Sequence, residues 1–455
     1  MFVGRDSEIN LLNAYYKRPD NQVMVMYGLE GVGKSTLVQE FIKDKEGSLY
    51  FNCLPLYERE QLYQWSNYSH GFLNLPEYPE FDSFFAKIED YFSSIEGKNV
   101  LIFDEFQYLL KYSSQFTASL FNYLRNNSKS CFVILISSSI EWVENSMVKK
   151  IGMDAKNITG FFKVKELGFT SFREYFLKMK FDECVSGYAI LGGIPKLWTF
   201  FDQSKGLKEN IINNLLDVNS PLFNYGEDAV KKELRETGVY NTILCALASG
   251  KNKLNDLYNH TLFSRAKISV YIKNLMELGF VSKEFSVDTE GRSNTQKGIY
   301  DICINYVYFT YKYMFPYKNE LFTGNKAKFY DKYIKPELKD YTAKFFPLVC
   351  REYLENMNSY GNLPIRYSKL GRWIGKLGTI DFVATDDNGN TMLVLCNWEK
   401  PMIRFDDYEW LLFCAKQAKI RADYCMLISA QGFDEKLKFA GNSKKNISLV
   451  TLDNM

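Results

Sequence analysis

Histidine is nearly missing: His70 and His260 are the only two in 455 residues, which argues against a histidine-based metal centre or catalytic triad. Nine cysteines (53, 131, 184, 245, 303, 350, 396, 414 and 425) are scattered, mostly inside apolar runs, and no C-x-x-C pair occurs. That pattern argues against zinc sites and a disulfide framework, and for buried thiols in a reducing compartment. No run of 18 apolar residues and no charged-then-apolar leader is present, so the expectation is a cytoplasmic protein without a membrane span. Excess charge is lacking too. Lys and Arg total 56 against 54 Asp and Glu, a formal +2, so any contact with nucleic acid must come from a local patch.

Against these absences, one stretch is dense in chemistry. "YGLEGVGKSTLVQEF", residues 27–41, follows the apolar run Val23–Tyr27 and fits G-x-x-x-x-G-K-[ST]. Strand, glycine-rich loop and helix start come in the order that a phosphate-binding loop needs. Gly28, Gly31 and Gly33 let backbone N–H groups close around phosphate oxygens, and the helix N-terminus adds partial positive charge. Lys34 is expected at the β and γ phosphates, Ser35 on Mg²⁺, and Thr36 near the α-phosphate. A second buried-strand run, Val100–Phe103, ends in Asp104 and Glu105, at the strand end where ligands of an open α/β sheet bind. Asp104 is expected to hold Mg²⁺ through water, and Glu105 to orient or deprotonate the attacking water. A third run, Cys131–Ile136, ends in Ser137, Ser138 and Ser139, where one hydroxyl could sense the γ-phosphate or simply belong to a loop.

The length suits about three domains of roughly 100–200 residues each. The opening "FVGRDSEINLLNAYY" reads as a helix with Asp6 or Ser7 as N-cap. Strands and helices alternate to about residue 165, as in a parallel α/β domain. The pattern is helical from 166 to 235, where Gly192, Gly193 and Pro195 break one helix and start another. Residues 236–318 then carry three helical patterns, centred on Ile243–Leu247, Leu254–Tyr258 and Ile268–Leu278, a stop at Gly279, and two strand runs flanking "DTEGRSNTQKG". Three helices and a hairpin make a winged helix. Its third helix leaves Arg265, Lys267, Ser269 and Lys273 outside, with Arg292 and Lys297 on the wing. These residues could meet phosphates and base edges of double-stranded DNA, or form only the solvated face of an internal spacer.

Taken together, "FVGRDSEI", the two nucleotide motifs, "LGGIPKLW", the winged-helix block and "GRWIGKLGTIDFVA" resemble archaeal-type P-loop ATPases of the AAA+ and STAND group. The resemblance is to the branch with a C-terminal domain similar to PD-(D/E)xK nucleases. It implies an α/β AAA+-like core at 1–165, a helical lid at 166–235, the winged helix at 236–318, and a restriction-endonuclease-like α/β domain at 325–455, with ATP and Mg²⁺ as ligands. Two departures stand out. Members of the branch carry an arginine before the lid, whereas "NITGFFKVKEL" keeps Gly160 and places Phe161 there. A finger arginine can be worth about 10³–10⁵ in rate, so slow turnover is implied. Lys163, Lys165 or Lys196 could substitute in part, without the bidentate fork. In the nuclease-like domain, Pro347 stands at the usual glutamate and Leu395 and Asn397 at the acid and lysine, leaving Asp381. Glu352, Glu399 and Lys400 fall out of register for a strand of period two. The domain is therefore expected to be an inactive scaffold or protein-binding surface. Two readings stay open: an ATPase that moves a winged helix on DNA, and an ATP-held switch that shows or hides a surface for a protein partner.

Overall fold

A computed structural model describes residues 2–113, 115–289 and 298–455. Arg292 and Lys297, the wing cations of the sequence reading, lie outside the described residues. The chain divides into two compact units, Met1–Leu167 with Ile194–Trp198, and Gly168–Gly193 with Thr199–Met455.

The first unit is built on five parallel strands, β1 (Gln22–Tyr27), β2 (Ser48–Asn52), β3 (Asn99–Asp104), β4 (Cys131–Ser137) and β5 (Gly160–Lys163), in the order β2-β3-β4-β1-β5. Strand alternation divides its core into two layers. Val25, Phe51, Leu101, Phe103 and Val133 face the helices that supply Trp65, Phe84, Phe85 and Phe116. Met24, Met26, Ile102, Phe132 and Ile134 face Leu12, Leu37, Val38 and Phe41. Because both faces are covered, the central strands read as unbroken apolar runs. The strand order matters for chemistry, since β4 lies between β1 and β3 and brings its own carboxyl end between theirs.

The first helix, Asp6–Tyr16, corrects the sequence reading. Arg5 occupies the N-cap position, Asp6 is the first helical residue, and no side chain caps the end. Arg5 instead turns inward. Its guanidinium donates to the carbonyls of Val32 and Lys165, each at 2.8 Å, and to Glu8 Oε1 at 2.7 Å. A buried guanidinium needs such partners, and here they tie the chain start to the glycine-rich loop and to the exit of β5.

The second unit contains the winged helix: helices Thr237–Ala248, Leu254–Thr261 and Arg265–Glu277, then an antiparallel hairpin of β6 (Val281–Glu284) and β7 (Ile299–Ile302). Ile268, Ile272 and Leu275 are buried, as their spacing requires. Gly279, at φ +77°, stops the third helix, with its N–H on Met276 O and that of Phe280 on Leu275 O. Beyond it a 22-residue helix, Leu338–Ser359, contains Pro347. A second sheet follows, of β8 (Lys369–Ile374), β9 (Thr379–Thr385), β10 (Thr391–Asn397), β11 (Tyr424–Ser429) and β12 (Ile447–Thr451). Its β8-β9-β10 half is antiparallel and its β10-β11-β12 half parallel. The wing root is fastened to β8. Ile374 N donates to Ser286 Oγ at 2.9 Å, Arg372 lies 3.5 Å from Glu284, and a Cβ on Gly371 would come 2.5 Å from Val287.

All nine cysteines are free, and Cys303 is exposed where the chain leaves the hairpin, contrary to the expectation of burial. Among the described residues no helix is long and apolar enough to cross a membrane.

The Arg5 cluster yields a pH test. Burial pushes the Glu8 carboxyl up, but the Ser7 hydroxyl and the Arg5 guanidinium outweigh it and hold the group below its ordinary value. A carboxyl depressed by folding adds stability that is complete above its unfolded value of about 4.3 and is lost as pH falls through the folded one. Glu8→Gln should therefore lower the urea midpoint near pH 7, with the gap from wild type closing toward about pH 3. A gap independent of pH would remove ionised Glu8 from this account.

Candidate functional site

The loop after β1 is shaped by three glycines with different duties. Gly28 has no room for a side chain, because a Cβ would strike the carbonyl oxygen of Val164, which follows β5 and donates its N–H to Tyr27 O. Gly31 and Gly33 have φ of +84° and +92°, conformations that cost an L-residue about 1–2 kcal/mol. Gly33 caps the helix Lys34–Ile42, so the first turn points its N–H groups into the loop.

Lys34 is buried, and its ammonium donates to the carbonyls of Gly28 and Leu29 at 2.9 Å each. It is thereby folded back over the loop that a phosphate chain would enter. Thr36 is exposed one position beyond the half-buried Ser35 in the same turn. The Ser35 hydroxyl donates to Asp104 Oδ2 at 2.5 Å, bringing together the two residues expected to hold a cation. Their hard oxygens suit Mg²⁺, which keeps several waters and needs only one or two protein ligands. Asp104 is buried and carries three bonds. Oδ2 also accepts from the Tyr50 hydroxyl, and Oδ1 accepts from Glu105 N at 2.9 Å. Burial and the Asp104 carboxylate raise the Tyr50 phenol well above its ordinary range, so it remains a donor.

Glu105 sits at φ +58°, strain of about 1–3 kcal/mol of the sort that concentrates at functional sites. Its carboxylate accepts from the Ser138 hydroxyl at 2.6 Å and from the Gln107 amide. Phe106 N donates to Ile136 O at 2.9 Å and locks the turn. Of the three serines after β4, Ser138 reaches Glu105, while Ser137 is fully buried and accepts from Ser139 N. Tyr50 and Gln107 had no signal in the sequence. One is a strand tyrosine among many tyrosines, and the other follows the acid pair without any motif.

The residues weighed as substitutes for a finger arginine have separate fates. Phe161 is half-exposed on the edge strand β5, and Lys163 pairs with Glu144 at 2.8 Å. Lys165 is exposed, with its carbonyl on Arg5. Lys196 alone reaches the loop, through Glu30 at 3.2 Å and through its N–H on Gly31 O at 3.2 Å.

In the second unit the positions resembling a nuclease site are put to other uses. Asp381 Oδ2 accepts from Cys396 N at 2.8 Å. Burial raises its carboxyl, against the pull of that bond and of Arg372. Asn397 closes a turn by accepting from Lys400 N and donating to Lys400 O. Glu352 caps another helix, Phe169–Tyr175, through the N–H groups of Phe169 and Thr170. Lys400 pairs with Asp407 at 2.5 Å. Among the described residues no group of three or more His, Cys, Asp or Glu side chains could hold a metal ion. The outward residues of the helix Arg265–Glu277 are exposed as expected. Arg265 stacks 4.4 Å over Tyr258, Lys267 lies 4.6 Å over Phe263, and Lys273 is 3.6 Å from Glu277.

Residues 2–199 match the model of an ATPase domain found predominantly in Archaea. Residues 241–283 match that of the ArsR family of bacterial regulatory proteins, and residues 310–409 one for archaeal and bacterial proteins of unknown function. An uncharacterized protein of Methanocaldococcus jannaschii is 27% identical over 405 residues, 86% of each chain. A Walker-type ATPase of Pyrococcus abyssi shares the fold, with a TM-score of 0.50 and 18% identity over 68% of this chain and 96% of that one. The chain thus combines a parallel P-loop sheet, in a region similar to archaeal ATPase domains, with a helix-turn-helix module and an α/β domain.

Gly28→Ala tests the loop geometry. Its methyl group would meet backbone rather than a movable side chain, so a cost of about 1–3 kcal/mol is expected. Nucleotide affinity should fall alongside the urea midpoint. Unchanged stability with unchanged affinity would show that Val164 can yield.

Proposed function

We propose that this chain is a slow Mg²⁺-dependent ATPase whose nucleotide state is passed to its winged helix. The observation that carries the reading is the cluster of Ser35, Asp104, Glu105 and Ser138 at the carboxyl ends of β1, β3 and β4, beside the loop that holds Lys34. Gly28, Gly31, Gly33, Lys34 and Thr36 would bind the phosphates, and Ser35 and Asp104 would hold Mg²⁺. When bound, the ion supplies charge neutralisation at the β and γ phosphates. Glu105, positioned by Ser138 and Gln107, would orient or deprotonate the attacking water. Phe161 in place of the arginine supports slow turnover. Adenine is favoured by the resemblance to archaeal ATPases.

Lys34 supplies phosphate charge, and Glu105 acts on water. Lys34→Ala should therefore abolish tight ATP binding, while Glu105→Gln should leave binding intact and slow hydrolysis. Titration with a fluorescent nucleotide and single-turnover hydrolysis separate the two. Equal loss of binding in both variants would remove the assignment of Glu105.

For the partner, the reading favours double-stranded DNA. Arg265 and Lys267 stand at the exposed start of the third winged-helix helix, pre-ordered by stacking on Tyr258 and Phe263, and Lys273 lies further along. Charge reversal at Arg265 and Lys267 should weaken duplex binding and flatten its salt dependence by about one unit of slope per lost phosphate contact. DNA should also stimulate turnover. The same duplex is expected to stay uncut in Mg²⁺, because Asp381 is left alone among the expected ligands. One observation favours a protein partner instead: Trp410 and Phe413 stack at 5.1 Å on the C-terminal domain while 49% and 38% exposed, an aromatic pair of the type that anchors interfaces. Absence of duplex binding at about 50 mM salt, with turnover indifferent to DNA, would move the reading to that ATP-held switch in the cytoplasm.

A further inference from the structure

The Tyr50 hydroxyl enters the nucleotide site from a strand that carries no nucleotide motif. Tyr50 lies opposite Ile102 in the pairing of β2 with β3, and strand alternation puts Ile102 and Asp104 on one face of the sheet. The Tyr50 ring packs against the apolar layer that holds Leu37 and Val38, on the helix that follows the loop. So fixed, its hydroxyl donates to Asp104 Oδ2, the oxygen that also accepts from Ser35, and it lies within reach of the Ser35 hydroxyl itself. An ionised carboxylate has about four acceptor positions. Among the described residues, Ser35 and Tyr50 fill those on Oδ2, and Glu105 N fills one on Oδ1. A single position on Oδ1 remains. Ser35 and Glu105 N belong to the loop and the strand end in any case, but the phenol does not. A phenylalanine ring would fill the same layer without touching Asp104.

We propose that Tyr50 selects the cation of this site: by occupying Oδ2 it bars direct ligation by Asp104 and favours Mg²⁺ over Ca²⁺. The inference rests on the ATPase reading and deepens it. Mg²⁺ dehydrates reluctantly and keeps several waters, whereas Ca²⁺ takes about six to eight oxygen ligands, carboxylates among them. A carboxylate with one acceptor position left can take a hydrogen bond from a metal-bound water, which suits the ion that keeps its waters. Direct ligation would draw on the oxygen beside Ser35, the other expected ligand, and Tyr50 holds that oxygen. Without the hydroxyl, Oδ2 regains a lone pair, and an ion that accepts carboxylates gains a ligand. Tyr50 is thus a positioning residue that acts on the cation through Asp104.

The test uses the full chain and a fluorescent non-hydrolysable ATP analogue, titrated in EDTA, in Mg²⁺ and in Ca²⁺. Wild type is expected to bind it more tightly with Mg²⁺ than with Ca²⁺. In Tyr50→Phe the affinity in EDTA should be unchanged, because Lys34 and the loop supply the phosphate contacts. The ratio of Mg²⁺-supported to Ca²⁺-supported affinity should fall about tenfold, equivalent to about 1.4 kcal/mol. Tyr50→Met, which also lacks a donor, should move the ratio in the same direction. A hydroxyl with a structural role alone would lower the urea midpoint when removed and leave the ratio as it was. An unaltered ratio in both variants, equal losses in all three buffers, or a wild type that takes Ca²⁺ as readily as Mg²⁺ would each overturn the inference and leave nucleotide binding in place. Failure of wild type to bind the analogue in any buffer would overturn both this inference and the ATPase reading.

Discussion

The carboxylate of Asp104 is the point on which the ATPase unit converges. It takes hydrogen bonds from the helix after the loop through Ser35, from β2 through Tyr50, and from its own successor through Glu105 N. A buried carboxylate is tolerated only when its lone pairs are met, so these three donors hold each other in place through it. The strained φ of Glu105 follows from this demand. Its N–H turns back to Asp104, and its side chain is thereby thrown toward Ser138. The two carboxylates and the Ser138 hydroxyl are placed by one turn of backbone rather than by three independent devices.

Much of this was legible in the chain. The loop glycines, Lys34 and Ser35 form a motif whose spacing is dictated by backbone geometry, and the apolar run before Asp104 could only be a strand buried on both faces. The three helices of the winged module were equally plain, since Ile268, Ile272 and Leu275 sit at helical spacing and are buried. What stayed hidden has a common cause: it depends on contacts between segments far apart in sequence. Arg5 was passed over because its partners, Val32 and Lys165, are backbone carbonyls 27 and 160 residues away, and carbonyls carry no signal in a sequence. Tyr50 was missed for the same reason. The expected N-cap at Asp6 or Ser7 failed because a local preference worth about 1 kcal/mol yielded to the anchoring of Arg5.

The second unit gives each of its conspicuous polar residues a structural partner. Glu352 is near in sequence to where a nuclease glutamate would stand, yet its carboxylate serves the N-terminus of the helix Phe169–Tyr175, where partial positive charge welcomes it. Its oxygens lie where a side chain on Gly168 would have to go, so the glycine and the glutamate form one fitting. Asn397, at the lysine position, satisfies both backbone groups of Lys400. Each of these polar groups has a structural task within the fold.

The joint between the wing root and β8 changes what counts as a module. In sequence the winged helix and the C-terminal sheet are separate blocks, each with its own hydrophobic periodicity. In the fold, Ser286 completes the hydrogen bonding of Ile374, and Gly371 leaves the space that Val287 fills. A side chain at position 371 is therefore expected to fit only if the residue at 287 becomes smaller. A cut made between the two blocks would thus open a hydrogen bond and a packed contact rather than a bare linker.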